Sequence, residues 1–264
     1  MTATGADPDQ GHRSNGSRIA VIDKAVRVLD ELMKAPSGLT PTDLATALDI
    51  NRSSAFRLLT SLEQAGLLFR DPLSGRYRLG VKFLQYGESV RAGTALIDLA
   101  DPTLRKLSAQ TRQSVSLAIR EGFGARCLHR VAGPDVEVFA WKVGGWLPMY
   151  VGAAPQALLS VLSDEELERF LAQLGPKSRS DHPAPPPEEI RASVAATRDR
   201  GYSLNQGGLT TGVSSLGVIV NDNSDVTVCA ISVAGLEHHY RGEALVRTAD
   251  AVKQTAHELG ALLS

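Results

Sequence analysis

Cysteine is scarce in this chain: two residues in 264, Cys127 and Cys229. That is too few for a disulfide framework, and neither has a partner at the CxxC spacing of a metal knuckle. The shortage fits a reducing compartment and predicts a cytoplasmic protein. Also missing is any apolar run of the roughly 18 residues that mark a membrane span, so no membrane association is expected. The opening MTATGADPDQGHRSNGS lacks the apolar stretch of a secretory signal and reads as a flexible polar tail over residues 1–17. Excess charge of one sign is absent too, the net being −1. Residues 1–94 carry 12 Lys and Arg against 10 Asp and Glu, net +2, whereas residues 95–264 carry 16 against 19, net −3. This imbalance permits DNA binding by the first part without establishing it, because phosphate contacts need local positive charge. What is present, 43% hydrophobic and 22% charged residues, is an ordinary globular composition. At roughly 150 residues per domain the length predicts two domains.

Within residues 19–35, Ile22, Ala25, Val26, Leu29, Leu32 and Met33 recur every three or four positions, which predicts a helix with those residues on one face. Pro36, Ser37 and Gly38 break it. Thr40 and Pro41 then supply an N-cap and a first-turn proline for a second helix that runs to about Leu48. After Asp49 and Ile50, Asn51 caps a third helix over residues 52–65, which buries Ala55, Leu58, Leu59 and Leu62 and stops at Gly66. LLFRD and GRYRLG are short β-like runs joined by Pro72, Leu73, Ser74 and Gly75, the composition of a hairpin loop. Three helices and a hairpin make a winged helix-turn-helix over residues 18–80, followed by a linker helix over 81–93.

The third helix presents Arg52, Ser53, Arg57, Thr60 and Gln64 outward, with Ser54 and Phe56 toward its flanks. A helix fits the major groove, where Arg can donate two hydrogen bonds to a guanine and Ser or Asn can contact phosphates or base edges. On the wing, Arg70, Arg76, Arg78 and Lys82 face a single acid, Asp71, and suit backbone or minor-groove contacts. Arg13 and Arg18 could serve as an arm. The predicted reading head is therefore Asn51, Arg52, Ser53, Ser54, Arg57, Thr60, Arg76 and Arg78, with duplex DNA as partner. Any helix has a polar face, so the ordered set of elements carries this reading. Winged helices also bind proteins, and a GAF-type sensor or enzyme with a protein-contact winged helix is the alternative.

From residue 94 onward a second domain is expected. A helix over 95–110 precedes the strand-like runs SVSLAI, ARCLHRVA and VEVFAWK, and a helix starts near Pro155. Helices over 164–173 and 189–200 flank a Pro-rich loop at 175–188, and the runs GYSLNQ, TGVSSLGVIV and VTVCAISVAG lead to a closing helix over 242–263. The pattern predicts an α+β domain, an antiparallel sheet with helices on its faces. Cys127 and His129 alternate along a strand and so should share a face. With no third orienting residue, a buried structural cysteine is the better reading than a thiolate and base. His238 and His239 lack the spaced partners of a metal site, and the glycines at 207, 208 and 212 lack the GK[ST] ending of a phosphate loop. No catalytic centre, metal or cofactor is expected.

The segment IDKAVRVLDELMKAPSGLTPTDLATALDINRSSAFRLLTSLEQAGLLFRD with GRYRLG closely resembles the DNA-binding domain of the IclR family of bacterial transcription regulators. GYSLNQGGLTTGVSSLGVIVNDNSDVTVCAISVAG resembles that family's effector-domain signature, so the likeness runs from residue 18 to 263. It implies a GAF-like α/β effector-binding domain over 94–264, dimers or dimers of dimers, a palindromic operator, and control by a small, often acidic, metabolite. In relatives with a carboxylate effector the ligand lies between a helix N-terminus and polar side chains of the later strands. Aligned motifs place Ala153 and Ala154 at that helix start, with Asn205, Ser215 and Ser232 facing it. Where relatives read HATAxGKA this chain has YVGAAPQA, with Tyr150 for the histidine and Pro155 and Gln156 for the Gly-Lys pair. Ser215 falls at a frequent cysteine and Ala234 at an occasional second serine. These departures leave the effector's charge open, and Trp141, Trp146 and Met149 could wall a larger, partly aromatic ligand.

Overall fold

Helix α1 (Ala20–Lys34) buries Val28 and Leu32 and half-buries Ala25 and Leu29 against α2 (Pro41–Leu48) and α3 (Arg52–Gln64). The spacing forecast this helix, but not its buried face: Ile22, Val26 and Met33 are 55, 49 and 61% exposed. A three-helix unit this small covers only a narrow stripe of each helix, and here the stripe runs through Val28 and Leu32. The computed structural model describes residues 20–92, 95–135, 141–174, 182–207 and 211–263. The chain divides into two units between Gly93 and Thr94.

In the first unit, Thr40 closes a capping box with Asp43 at the start of α2. Asn51 Oδ1 accepts from the Ser54 amide at 2.7 Å at the start of α3. Asp49, in the left-handed conformation at φ 53°, ends α2 and makes the turn between the two helices. Strands β1 (Leu68–Arg70) and β2 (Tyr77–Leu79) pair antiparallel as a wing, pinned to the helices by a bridge from Leu39 to Tyr77. Tyr77, 1% exposed, fills the core beneath it. Helix α4 (Lys82–Ala92) follows.

The second unit is built on a six-stranded antiparallel sheet in the order β5-β4-β3-β8-β7-β6. Its strands are β3 (Ser114–Glu121), β4 (Gly124–Val131), β5 (Trp146–Pro148), β6 (Ser203–Gln206), β7 (Val213–Asn221) and β8 (Thr227–Leu236). The closing helix α9 (Gly242–Leu262) and α5 (Ala95–Thr111) cover one face, around Leu104, Leu117, Leu216, Ile231 and Val252. The helices α6 (Ala153–Ser160), α7 (Asp164–Ala172) and α8 (Pro187–Arg200) contribute to the core on the other, around Ala118, Met149, Leu158, Phe170 and Ala230. This is the α+β architecture the pattern implied. The short edge strand β5 was not anticipated, and of the expected strand VEVFAWK residues 136–140 lie outside the described residues.

The ladder between β3 and β4 carries one irregularity. Between Leu117 and Ala118 the pairing of β3 with β4 shifts by a residue, because Leu128 is the extra member of a β-bulge. A bulge inverts the alternation of its strand, so Cys127 pairs with Ala118 and His129 with Leu117. The two are therefore on opposite faces, correcting the expectation that they share one. Cys127 is buried in the α6-side core, and burial pushes its thiol up to about 11. His129 Nε2 instead meets Asp101 of α5 at 2.7 Å.

Candidate functional site

Two places gather polar side chains that the packing alone does not require. The first is the outer surface of α3 and the wing. Ala55, Leu59 and Leu62 turn α3 toward the core, which leaves Arg52, Ser53 and Arg57 exposed and Ser54 and Thr60 half-buried. Ser54 and Arg57 line a shallow groove of about 400 Å³ beside α1, with Val21, Ile22 and Lys24. Asn51 uses its carbonyl oxygen as the cap, so only its amide nitrogen is left to donate outward. Phe56, placed by the sequence on a flank, is 50% exposed, an apolar ring amid polar neighbours that suits a thymine methyl.

The wing arginines differ from one another. Arg76 Nη1 donates to the Gly38 carbonyl at 2.8 Å and lies 3.8 Å from Asp43, so it ties the wing to the start of α2. Arg78 stands 3.8 Å from Asp71 on the exposed side of β2. Asp71 itself accepts from the amides of Leu73 and Ser74, bonds that hold its carboxyl below the usual range and tighten the loop. Lys82 caps α3 from outside by donating to Ala65 O at 3.0 Å. The two residues expected to form an arm, Arg13 and Arg18, lie outside the described residues.

The second place is the sheet face beneath α6. Gly152, at φ 81°, starts that helix with no capping side chain, and Pro155 offers no amide. The first amides, those of Ala153 and Ala154, lie in residues 3 and 0% exposed, a buried helix end whose donors ask for a partner. Its seat is Gly217: a Cβ there would lie 2.6 Å from Ala153 carbonyl atoms and 2.9 Å from Ala154 N. Ser203 fastens the same turn, its hydroxyl donating to Ala153 O at 2.6 Å.

Strand register sets what surrounds this seat. Residues directly opposite in a sheet share a face, and Gly217 is opposite Ser203 on one side and Ser232 on the other. Ser232 is opposite Ser116. The neighbouring row on the same face runs Asn205, Ser215, Ala234, Ser114. Thus Ala153, Ala154, Asn205, Ser215 and Ser232, picked from sequence, come together at one end of the α6 face. Ser203, Ser116 and Gly217 were missed, although Ser203 and Gly217 lie two residues from Asn205 and Ser215 in the same strands, a readable signal; Ser116 comes in only through the pairing of β3 with β8. Among the described residues the hydroxyls of Ser116, Ser215 and Ser232 make no side-chain hydrogen bond, and Ser232 is 7% exposed.

The aromatic wall fares differently. Trp141 and Met149 are in the α6-side core, but Trp146 pairs with Arg126, itself opposite Ile119, a residue packed on the α5 and α9 side. Trp146 therefore belongs to the other face. Gln156, at the family's lysine position, donates to Tyr150 O at 3.1 Å. No group of three His, Cys, Asp or Glu among the described residues could hold a metal, and none of their helices is long and apolar enough to cross a membrane.

Comparison with known proteins identifies the family of both units. The family model for the IclR helix-turn-helix domain matches residues 21–72, and that for the bacterial transcriptional regulator IclR C-terminal matches residues 89–261. The HTH-type transcriptional regulator KipR of Bacillus subtilis is 27% identical over 236 residues, 89% of this chain and 94% of its own. An IclR transcriptional regulator from Alicyclobacillus acidocaldarius superposes with a TM-score of 0.74 at 24% identity, over 92% of this chain and 98% of its own. An IclR homolog from Microbacterium hydrocarbonoxydans, solved as a complex with 4-hydroxybenzoate, superposes with a TM-score of 0.73 at 21% identity, over 91% of this chain and 97% of its own.

Proposed function

Because the chain belongs to the IclR family of bacterial transcriptional regulators, and is accordingly a DNA-binding regulator, we propose that α3 and the wing read its operator under control of a small molecule bound beneath α6. The observation that carries the first half is the exposed set Arg52, Ser53, Phe56 and Arg57 on a helix whose other side is locked into the core. Arg57 supplies the bidentate donor for a base edge. Arg78 supplies a phosphate contact, and Arg76 holds the wing in position for it.

The second half rests on a buried, uncapped helix start on the sheet face that carries Ser116, Ser215 and Ser232, whose hydroxyls make no hydrogen bond among the described residues. An oxygen-rich or anionic ligand satisfies such amides and gains from the positive end of the helix dipole. The Microbacterium relative was solved with 4-hydroxybenzoate, a ligand of that chemistry. The protein works in the cytoplasm as a dimer, or a dimer of dimers, on a palindromic site, since two copies of one reading head match two half-sites related by a two-fold axis.

The test is selection of genomic fragments by the full-length chain, followed by binding titrations across salt. A recovered palindrome with salt-sensitive binding is expected. Recovery of no symmetric site, with retention independent of salt, would sink the reading of the first unit. For the second unit, Ser215→Leu should abolish the ligand-induced rise in melting temperature and leave operator affinity intact. An unchanged ligand response removes Ser215 from the site.

A further inference from the structure

We propose that Leu73, at the tip of the wing, is a wedge: it enters the minor groove beside the half-site met by α3 and opens one base step there, so that the operator is recognised partly by how easily its flank deforms. This rests on the reading that α3 and the wing bind duplex DNA. Leu73 is 98% exposed, the most exposed large apolar side chain among the described residues. A lone exposed leucine is commonplace on a protein surface; this one is set apart by how it is held. Pro72 fixes the backbone just before it, and Asp71 Oδ1 accepts from the amides of Leu73 at 2.9 Å and Ser74 at 3.0 Å. Beneath those bonds the Gly75 amide donates to Asp71 O at 2.8 Å and the Asp71 amide to Arg76 O at 2.9 Å, with Gly75 at φ 67° completing the reversal. The tip is thus a closed turn on a wing that is itself tied to the helices through Leu39 and Gly38, and it presents Pro72 and Leu73 as an exposed apolar point.

Charge around the point selects its partner. Residues 64–87 hold four basic side chains, Arg70, Arg76, Arg78 and Lys82, against the single acid Asp71, and that acid is taken up by the turn and by Arg78 at 3.8 Å. Strand register puts Phe69, 55% exposed, directly opposite Arg78 on the outer side of the wing, whereas Arg70 lies over the Tyr77 ring on the other side, 5.7 Å from its centroid. Docking such a point against an apolar protein patch would strip water from arginines and give them nothing in return. Duplex DNA satisfies both chemistries: the arginines meet phosphates along the groove walls, and the leucine meets the apolar faces of two bases that it partly unstacks. Unstacking costs least at a flexible pyrimidine–purine step such as TA. Because the turn is already closed, little conformational freedom is lost on insertion. The first unit then divides the work, α3 reading base edges by hydrogen bonds and Leu73 reading deformability at a step where no hydrogen bond is made.

The test uses the full-length protein and duplexes carrying the palindrome recovered by genomic selection. A single TA step is moved base pair by base pair through an otherwise G·C flank, with 2-aminopurine in place of its adenine. At one flank position the native chain should bind about tenfold more tightly than it does with a uniform G·C flank, and 2-aminopurine fluorescence should rise on binding at that position alone. Leu73→Ser should bring the TA-flanked duplex down to the affinity of the G·C-flanked one and abolish the fluorescence rise, while Leu73→Met should keep part of both. Melting temperatures equal to that of the native chain show that the variants are folded. Native affinity that ignores the place of the TA step, or a preference and a fluorescence rise that survive Leu73→Ser, overturns the wedge and leaves salt-sensitive binding of the palindrome standing. A lower oligomeric state of Leu73→Ser in sedimentation, with the flank preference kept, overturns it in favour of a contact between copies of the chain. Recovery of no palindrome at all overturns the DNA reading of the first unit and the wedge with it.

Discussion

Thr40 and Asp43 illustrate how much a single side chain settles in the first unit. The Asp43 carboxylate accepts from the Thr40 amide at 2.9 Å while the Thr40 hydroxyl accepts from the Asp43 amide at 3.2 Å. Those bonds from Thr40, with Arg76 nearby, hold the Asp43 carboxyl below its ordinary range. Thr40→Ala should cost about 1 kcal/mol in chemical denaturation at neutral pH. A lowered folded-state pKa gives stability that is complete above the unfolded value and is lost as pH falls through the folded one. The Thr40 amide survives in the Thr40→Ala variant, so Asp43→Asn is the substitution whose cost should shrink below about pH 4, and a cost constant down to pH 2.5 would contradict this account of the cap. Arg57→Ala should weaken operator binding by about 1–3 kcal/mol while leaving non-specific binding nearly unchanged. Arg78→Ala should weaken both alike, and equal effects of the two substitutions would remove the distinction. The two thiols, pushed up to about 11 in Cys127 and about 12 in Cys229 by burial, should resist alkylation at pH 8 until the protein is denatured. At this scale the caps were legible, since Thr40-Pro41 and Asn51 carry their own local chemistry. The bond of Arg76 to Gly38 was not: it depends on the wing folding back across 38 residues of chain.

Among elements, periodicity located nearly every helix and most strands, because each buries one stripe or one face. It could not say which of two overlapping stripes of α1 would be covered, nor find β5, whose three residues are too few to show alternation. Nor could it see the bulge in β4, since the extra residue, Leu128, is itself apolar and leaves no mark in composition. The candidate ligand site was half legible for the same reason. Ser215 and Ser232 followed from aligned motifs, whereas Ser203, Ser116 and Gly217 depend on the strand register. The seat of α6 gives an element-level prediction. Gly217→Ala puts a methyl where Ala153 carbonyl atoms already stand, so α6 must lift from β7 at a cost of about 1–3 kcal/mol. Urea unfolding followed in the second unit should register that loss, together with weaker ligand binding. An unchanged midpoint would mean that the helix start yields freely.

For the whole molecule, the division between Gly93 and Thr94 predicts two calorimetric transitions, of which Gly217→Ala should shift only one. A single transition displaced as a whole would show that the units unfold together. If the assembly reads two half-sites, inserting five base pairs between them should turn one half-site to the opposite side of the duplex and lower affinity at least about tenfold. The bulge at Leu128 then has an evolutionary meaning. Because the extra residue is absorbed within β4, its loss would leave Cys127 opposite Ala118 and His129 opposite Leu117, so a codon can be gained or lost at this point without turning either half of the strand over.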